Sequence, residues 1–182
     1  AVGVSMADYI SILDQTDVKK EAVPGTTLAD INNKSYIRRL QKLETDEVDL
    51  FICQLSTNDA AKGVSLGTIS DSFDRGDFDI STVSGAIEWI ISYAKEKWQC
   101  PVVFYTNPPF ESELYGDMVL LLKKLQQKWD ILVIDMWDDA EFNKITEAQR
   151  TLYMNDAIHP TRAGYLEWWT PYFEQILYEL ED

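Results

Sequence analysis

Three short apolar runs constrain this chain most: Asp49–Leu55 (DLFICQL), Pro101–Thr106 (PVVFYT) and Ile131–Trp137 (ILVIDMW). None alternates apolar with polar residues as a strand with one wet face does. Continuous runs of this length suit strands of a parallel sheet covered on both faces. Between the first two, Ile87, Ile90, Ile91, Ala94 and Trp98 fall on one helical face. Between the second and third, Leu114, Met118, Leu121, Leu122, Leu125 and Trp129 do the same. Strand and helix alternating at these intervals predict an α/β fold with right-handed crossovers in a doubly wound parallel sheet.

The flanks are less regular. Tyr9, Ile10, Ile12 and Leu13 suggest a short first helix, and Val18–Val23 a short strand closed by the breaker pair Pro24-Gly25. Thr26 and Thr27 can cap a broken helical pattern through Leu28, Ile31, Tyr36, Ile37 and Leu40. A last helix from about Arg162 to Leu180 should kink or break at Pro171. No linker composition divides the 182 residues, so one domain over 1–182 is expected.

Composition narrows the partners. A net charge of −15 repels phosphate backbones and anionic lipid, so nucleic acid is not an expected partner. No apolar run approaches the roughly 18 residues of a membrane span. Cys53 and Cys100 sit in or beside apolar runs and read as small buried hydrophobes, not as metal ligands. A cytoplasmic location is expected, with no cofactor. The chain opens on Ala1-Val2-Gly3-Val4-Ser5, with neither an initiator Met nor a signal-peptide pattern, and is expected to be N-terminally incomplete.

In doubly wound sheets, sites form in loops beyond the carboxyl ends of strands. Three such loops carry usable chemistry. In Pro24-Gly25-Thr26-Thr27, a glycine can leave its N–H open to a ligand. In Ser56-Thr57-Asn58-Asp59, a side-chain amide can donate to a developing oxyanion, or the cluster can simply cap a helix. In Asn155-Asp156-Ala157-Ile158-His159-Pro160-Thr161, the spacing lets Asp156 hold one nitrogen of His159, the only histidine, and leave the other free as a base.

A glycine, then Asn-Asp, then Asp-x-x-His-Pro, in this order on this pattern of elements, resembles the SGNH (GDSL-type) hydrolase family over nearly the whole chain. The resemblance implies a flavodoxin-like, three-layer α/β/α fold and a serine-type ester hydrolase of the esterase, lipase or deacetylase class. It implies that Gly25 and Asn58 form the oxyanion hole, that His159 is the base and that Asp156 is its orienting acid. Ser56 stands where the family usually has glycine. The family's first block, a strand ending in Gly-Asp-Ser, does not occur in these residues. Gly3-Val4-Ser5 is a superficial match without a preceding strand, so the first strand and its nucleophilic serine are expected upstream of Ala1.

Two other readings remain open. The same scaffold could bind a carbohydrate or ester without cleaving it, given Trp89, Trp98, Trp129, Trp137, Trp168, Trp169 and Tyr105, although most of these fit core positions. Metal-dependent hydrolysis through Asp59, Asp135, Asp138, Asp139 and Asp156 is weaker, because one histidine and no ligand-spaced cysteines make a poor zinc site. The loop from Gly63 to Asp79 is expected to cover the pocket and help choose the substrate; Arg75 could meet an anionic or carboxyl group there or simply pair with Asp74 or Asp77, and the simple pairing is favoured. Whichever reading holds, the expected ligand is a small-molecule ester. The oligomeric state is not legible.

Overall fold

The structure, a computed structural model, describes residues 3–180. Ala1 and Val2, where the N-terminal expectation begins, lie outside the described residues. In chain order the elements are α1 (Met6–Leu13), α2 (Tyr36–Leu40), β1 (Phe51–Gln54), α3 (Thr57–Ala61), a 3-10 turn at Arg75–Asp77, α4 (Val83–Trp98), β2 (Val102–Tyr105) and α5 (Glu113–Trp129). Then come β3 (Leu132–Ile134), α6 (Glu147–Tyr153), α7 (Arg162–Gly164), a π-helical turn at Tyr165–Trp169 and α8 (Thr170–Tyr178). They fall into two compact units. One spans Gly25–Asn107 and Ser112–Trp137; the other holds the chain up to Pro24, Pro108–Glu111 and the chain from Asp138 on.

The first unit is an α/β structure with a parallel sheet flanked by helices. Its strands run in the order β1-β2-β3, with Phe51 opposite Val102 and Val103 opposite Leu132. All three strands lie within the predicted apolar runs. The third is much shorter than its run, because the chain turns after Ile134 and the Trp137 N–H donates to Thr106 Oγ1 at 2.9 Å. The helices α4 and α5 bury the apolar faces their spacing announced: Ile87, Ile90, Ile91 and Ala94 on one, Met118, Leu122 and Leu125 on the other are fully covered. Thr82 and Ser112 cap their N-termini. Gln99 and Asp130 end them in the left-handed region, at φ 53° and 48°. Lys95 Nζ reaches across from α4 to the Trp129 carbonyl at 2.6 Å, so one helix satisfies the end of the next.

Between α3 and α4, the loop of residues 63–79 is anchored from beneath. Glu88 on α4 is wholly buried and accepts the Ser70 N–H at 3.0 Å; it also pairs with Lys128 of α5. Lys128 donates to the carbonyls of Ser70 (2.7 Å) and Ser72 (2.6 Å) and lies over the rings of Phe73, Phe78 and Trp129. The expected partner of Arg75 is corrected: it pairs with Glu96 at 2.6 Å, over the stacked Trp89 and Tyr93 rings, not with Asp74 or Asp77.

In the second unit α1 packs on α8. Ser5 and Asp8 form a capping box at the start of α1, and the Tyr178 hydroxyl donates to Asp14. Phe142 stacks on Trp168, whose Nε1–H donates to the Phe142 carbonyl at 3.0 Å. Trp168 and Trp169 are both buried, as core packing requires. Pro171 sits in the first turn of α8, and the irregularity expected there is the preceding π-turn, whose last N–H, from Thr170, reaches the Tyr165 carbonyl. A proline has no N–H to continue the α register, and a wider turn before it absorbs the mismatch.

Two expectations near the N-terminus are corrected. Val18–Val23 forms no strand: Lys19-Lys20-Glu21 lie at its centre, and Val18 and Val23 are 38% and 39% exposed. Charges in mid-run prevent burial on both faces. Thr26 and Thr27 cap no helix. Thr27 instead accepts the Tyr36 N–H at 2.8 Å, which closes a turn-rich loop, and Ser35 caps α2. No helix among the described residues is long and apolar enough to cross a membrane. Cys53 and Cys100 are buried and free, and burial pushes the Cys53 thiol up, as expected of small hydrophobes.

Candidate active site

Asp156 and His159 come together as the spacing predicts. Their loop is pinched at its base by the Met154–Pro160 bridge, by the Asn155 N–H to the His159 carbonyl (2.8 Å) and by the Asn155 side-chain amide to the Pro160 carbonyl (3.0 Å). Within it, Asp156 Oδ1 accepts the backbone N–H groups of Ile158 and His159, both at 2.8 Å. His159 Nδ1 lies 2.8 Å from Oδ2 and 3.0 Å from Oδ1. An ionised carboxylate only accepts, so in the neutral ring Nδ1 carries the proton and Nε2 keeps its lone pair. Both side chains are more than half exposed, which leaves that nitrogen open to a substrate. An open depression of about 430 Å³, lined by Glu147, Arg150, Thr151, Met154, Asp156 and Ala157, adjoins the acid.

The position of this loop is set by Thr161 and Gly164. Thr161 caps α7, its N–H donates to the Tyr153 carbonyl at 2.8 Å, and its hydroxyl donates to the Leu152 carbonyl at 2.8 Å. A Cβ on Gly164 would lie 2.0 Å from the Tyr153 carbonyl oxygen, so only glycine lets α7 approach the end of α6 this closely.

The two backbone donors, and then the imidazole, hold the Asp156 carboxyl down at about 2, from an ordinary 3.8. The stabilisation this represents is present above the ordinary carboxylate range and is lost as pH falls through about 2. A carboxyl-detected NMR titration is therefore expected to place the Asp156 midpoint near 2. A midpoint near 4 would show that the turn does not hold the carboxylate in solution.

Gly25 and Asn58 lie in the sheet-containing unit. Gly25 has φ +73°, a left-handed conformation that a side chain would strain, and its N–H has no hydrogen-bond partner among the described residues. Asn58 sits in the first turn of α3, just beyond the carboxyl end of β1; its N–H donates to Ser56 Oγ at 3.2 Å. The Asn58 side chain is half-buried, and its amide has no hydrogen-bond partner among the described residues. Tyr115 steadies the strand ends beneath: its hydroxyl donates to the Leu55 carbonyl at 3.0 Å and accepts the Asn107 N–H at 2.9 Å. Asp156 with His159 and Gly25 with Asn58 thus belong to different units.

The unit that carries His159 has two serines, Ser5 and Ser11. Ser5 Oγ bonds to Asp8 at 2.9 Å and Ser11 Oγ donates to the Thr16 carbonyl at 2.7 Å. Three of the acidic residues considered for a metal engage protein donors. Asp135 pairs with Lys123 at 2.6 Å, and Asp139 accepts the Phe142 N–H and the Tyr172 hydroxyl. Asp59 accepts the backbone N–H groups of Leu28 (2.8 Å) and Ala29 (3.0 Å). This last arrangement escaped sequence reasoning, since nothing in Asn58-Asp59 says that the second residue turns inward.

Residues 5–166 match the model of the GDSL-like lipase/acylhydrolase family. The chain belongs to that family. No curated protein matches it. Among solved structures, a protein from Lactobacillus plantarum superposes with a TM-score of 0.79 at 17% identity, covering 97% of this chain and 88% of that one. A protein from Desulfitobacterium hafniense, titled as lipolytic and of the G-D-S-L family, gives 0.65 at 16% identity over 94% and 87% of the two chains. One from Bacteroides ovatus, titled as a GDSL-like lipase, gives 0.62 at 16% identity over 85% and 68%. At such identities these likenesses establish the fold alone. Membership of the GDSL-like lipase/acylhydrolase family makes the chain a relative of hydrolases.

Proposed function

We propose that this protein is a serine-type carboxylic ester hydrolase in which His159 is the general base and Asp156 its orienting acid. The observation that carries this reading is the doubly engaged Asp156. One carboxylate fixes both the backbone of the loop and the Nδ1–H tautomer of His159, which presents an exposed Nε2 as a proton acceptor.

In the proposed reaction the serine hydroxyl attacks the ester carbonyl while Nε2 takes its proton. The carbonyl oxygen becomes an oxyanion, and its charge is met by the Gly25 N–H and the Asn58 amide. Collapse expels the alcohol, which receives the proton from Nε2, and leaves an acyl-serine. Water then attacks the acyl group, Nε2 again accepting the proton and returning it to the departing serine. Neither Ser5 nor Ser11 is assigned as the nucleophile, because each is spent on local structure.

The test is hydrolysis of p-nitrophenyl acetate by the full-length natural protein, coupled to labelling by a fluorophosphonate. Turnover with one labelled serine is expected. Esters bound without any turnover would replace this reading with that of a non-catalytic binding relative.

A further inference from the structure

A buried aspartate needs a reason, because taking a carboxylate out of water is costly unless its oxygens find donors. Asp59 has none of its side chain exposed, and it accepts two backbone N–H groups 31 and 30 residues upstream, on Leu28 and Ala29. Burial pushes its carboxyl up, while the two N–H groups oppose that. Consecutive N–H groups on the two oxygens of one carboxylate fix both the position and the rotation of the 28–29 backbone. That segment begins three residues after Gly25, and Asp59 is the direct chain neighbour of Asn58.

Two further bonds tie the same segments. Ser56, which is 1% exposed, donates to the Thr26 carbonyl at 3.3 Å while accepting the Asn58 N–H. Lys62, at the end of α3, donates to the Gly25 carbonyl at 2.8 Å. The backbone from the Gly25 carbonyl to the Ala29 N–H, which directly follows the Gly25 N–H, is thereby referenced to the short helix that carries the Asn58 amide. The α3 helix does not need this: it has its own cap in Ser56, and nothing in a five-residue helix calls for a buried carboxylate.

We propose that Asp59, assisted by Ser56, is a positioning residue that sets the Gly25 N–H and the Asn58 amide at the spacing an oxyanion requires. This rests on the assignment of Gly25 and Asn58 to the oxyanion hole. Ser56 carries a role here that glycine, the family's usual residue at this position, could not fill, since glycine has no hydroxyl to donate to Thr26.

The experiment compares Asp59→Asn with wild type in the full-length natural protein. An amide at this position presents one oxygen and one NH₂ to two N–H donors, so one of them loses its acceptor. Displacing catalytic groups by about 1 Å costs on the order of 10²-fold, and a lost oxyanion donor 10²–10³-fold. We expect kcat for p-nitrophenyl acetate to fall ~10²-fold with KM within about threefold, because the hole acts on the transition state and not on the bound ester. Hydrogen exchange at the Leu28 and Ala29 amides should lose protection, while the Asp156 carboxyl still titrates near 2.

An unchanged kcat despite exposed Leu28 and Ala29 amides would overturn the proposal and leave the hydrolase reading standing. So would a loss of rate that only follows the folded fraction. A wild type that turns over no ester would overturn both. If Asp59→Asn does not fold, Ser56→Ala serves: it removes the hydroxyl that joins the Thr26 carbonyl to the Asn58 N–H, and a roughly five- to tenfold fall in kcat at constant KM is expected, with no fall overturning the proposal.

Discussion

Replacing His159 with alanine is expected to lower kcat for a short acyl ester by about 10⁴-fold or more and to leave the thermal midpoint within about 2 °C of wild type. The two halves of that expectation have separate causes. The imidazole is the one group assigned to take the serine proton and to return it, so nothing replaces it in either half-reaction. Its side chain is more than half exposed and packs into no core, so its removal opens no cavity. Loop closure survives because the Asn155 N–H bonds to the backbone carbonyl of residue 159, and Asp156 Oδ1 still accepts two backbone N–H groups. Steady-state kinetics beside calorimetry distinguish this outcome from the alternative, a variant that loses rate only because it unfolds.

Lys128→Met should produce the opposite signature: a large loss of stability, about 3–5 kcal/mol, which is what breaking a buried ion pair costs when one charge is left behind. Glu88 stays fully buried in the variant, with only the Ser70 N–H and the Trp129 Nε1–H for company. The carbonyls of Ser70 and Ser72 lose their donor at the same time. Urea denaturation with an unchanged slope and a lowered midpoint is the expected result. A loss under about 1 kcal/mol would mean that the loop of residues 63–79 relaxes to hydrate Glu88. The double variant Lys128→Met, Glu88→Leu should regain much of the loss, since removing both charges leaves none unpaired.

The features that could be read from the sequence are those whose causes lie close together in the chain. The strands and the faces of α4 and α5 were legible because apolar periodicity is local and burial follows it. The pairing of Asp156 with His159 was legible for the same reason: three residues in a turn suffice to make it. Residues 18–35 misled, because their path is set by what they bond to elsewhere. Val18 and Val23 are apolar enough for a strand, yet the charges between them forbid its burial. The segment after Gly25 takes its shape from Asp59, far along the chain, and not from the caps that Thr26 and Thr27 appear to offer. The anchoring of the 63–79 loop was hidden likewise, since Glu88 and Lys128 lie 40 residues apart on two helices.

The two halves of the proposed machinery differ in how they are encoded. Base and acid form a cassette closed by contacts within a few residues, which costs little chain entropy to assemble. The proposed oxyanion donors depend on bonds that span some 30 residues but join fully buried groups, whereas the Asp156 and His159 side chains are more than half exposed, and exposed segments are the first to open when a structure loosens locally. Mild denaturant or warmth short of the melting transition would then loosen the base while the Asp59 bonds still hold the segment after Gly25. On the proposed reading, activity would fail as a loss of proton transfer, with the charge-stabilising groups still in place when the loop closes again.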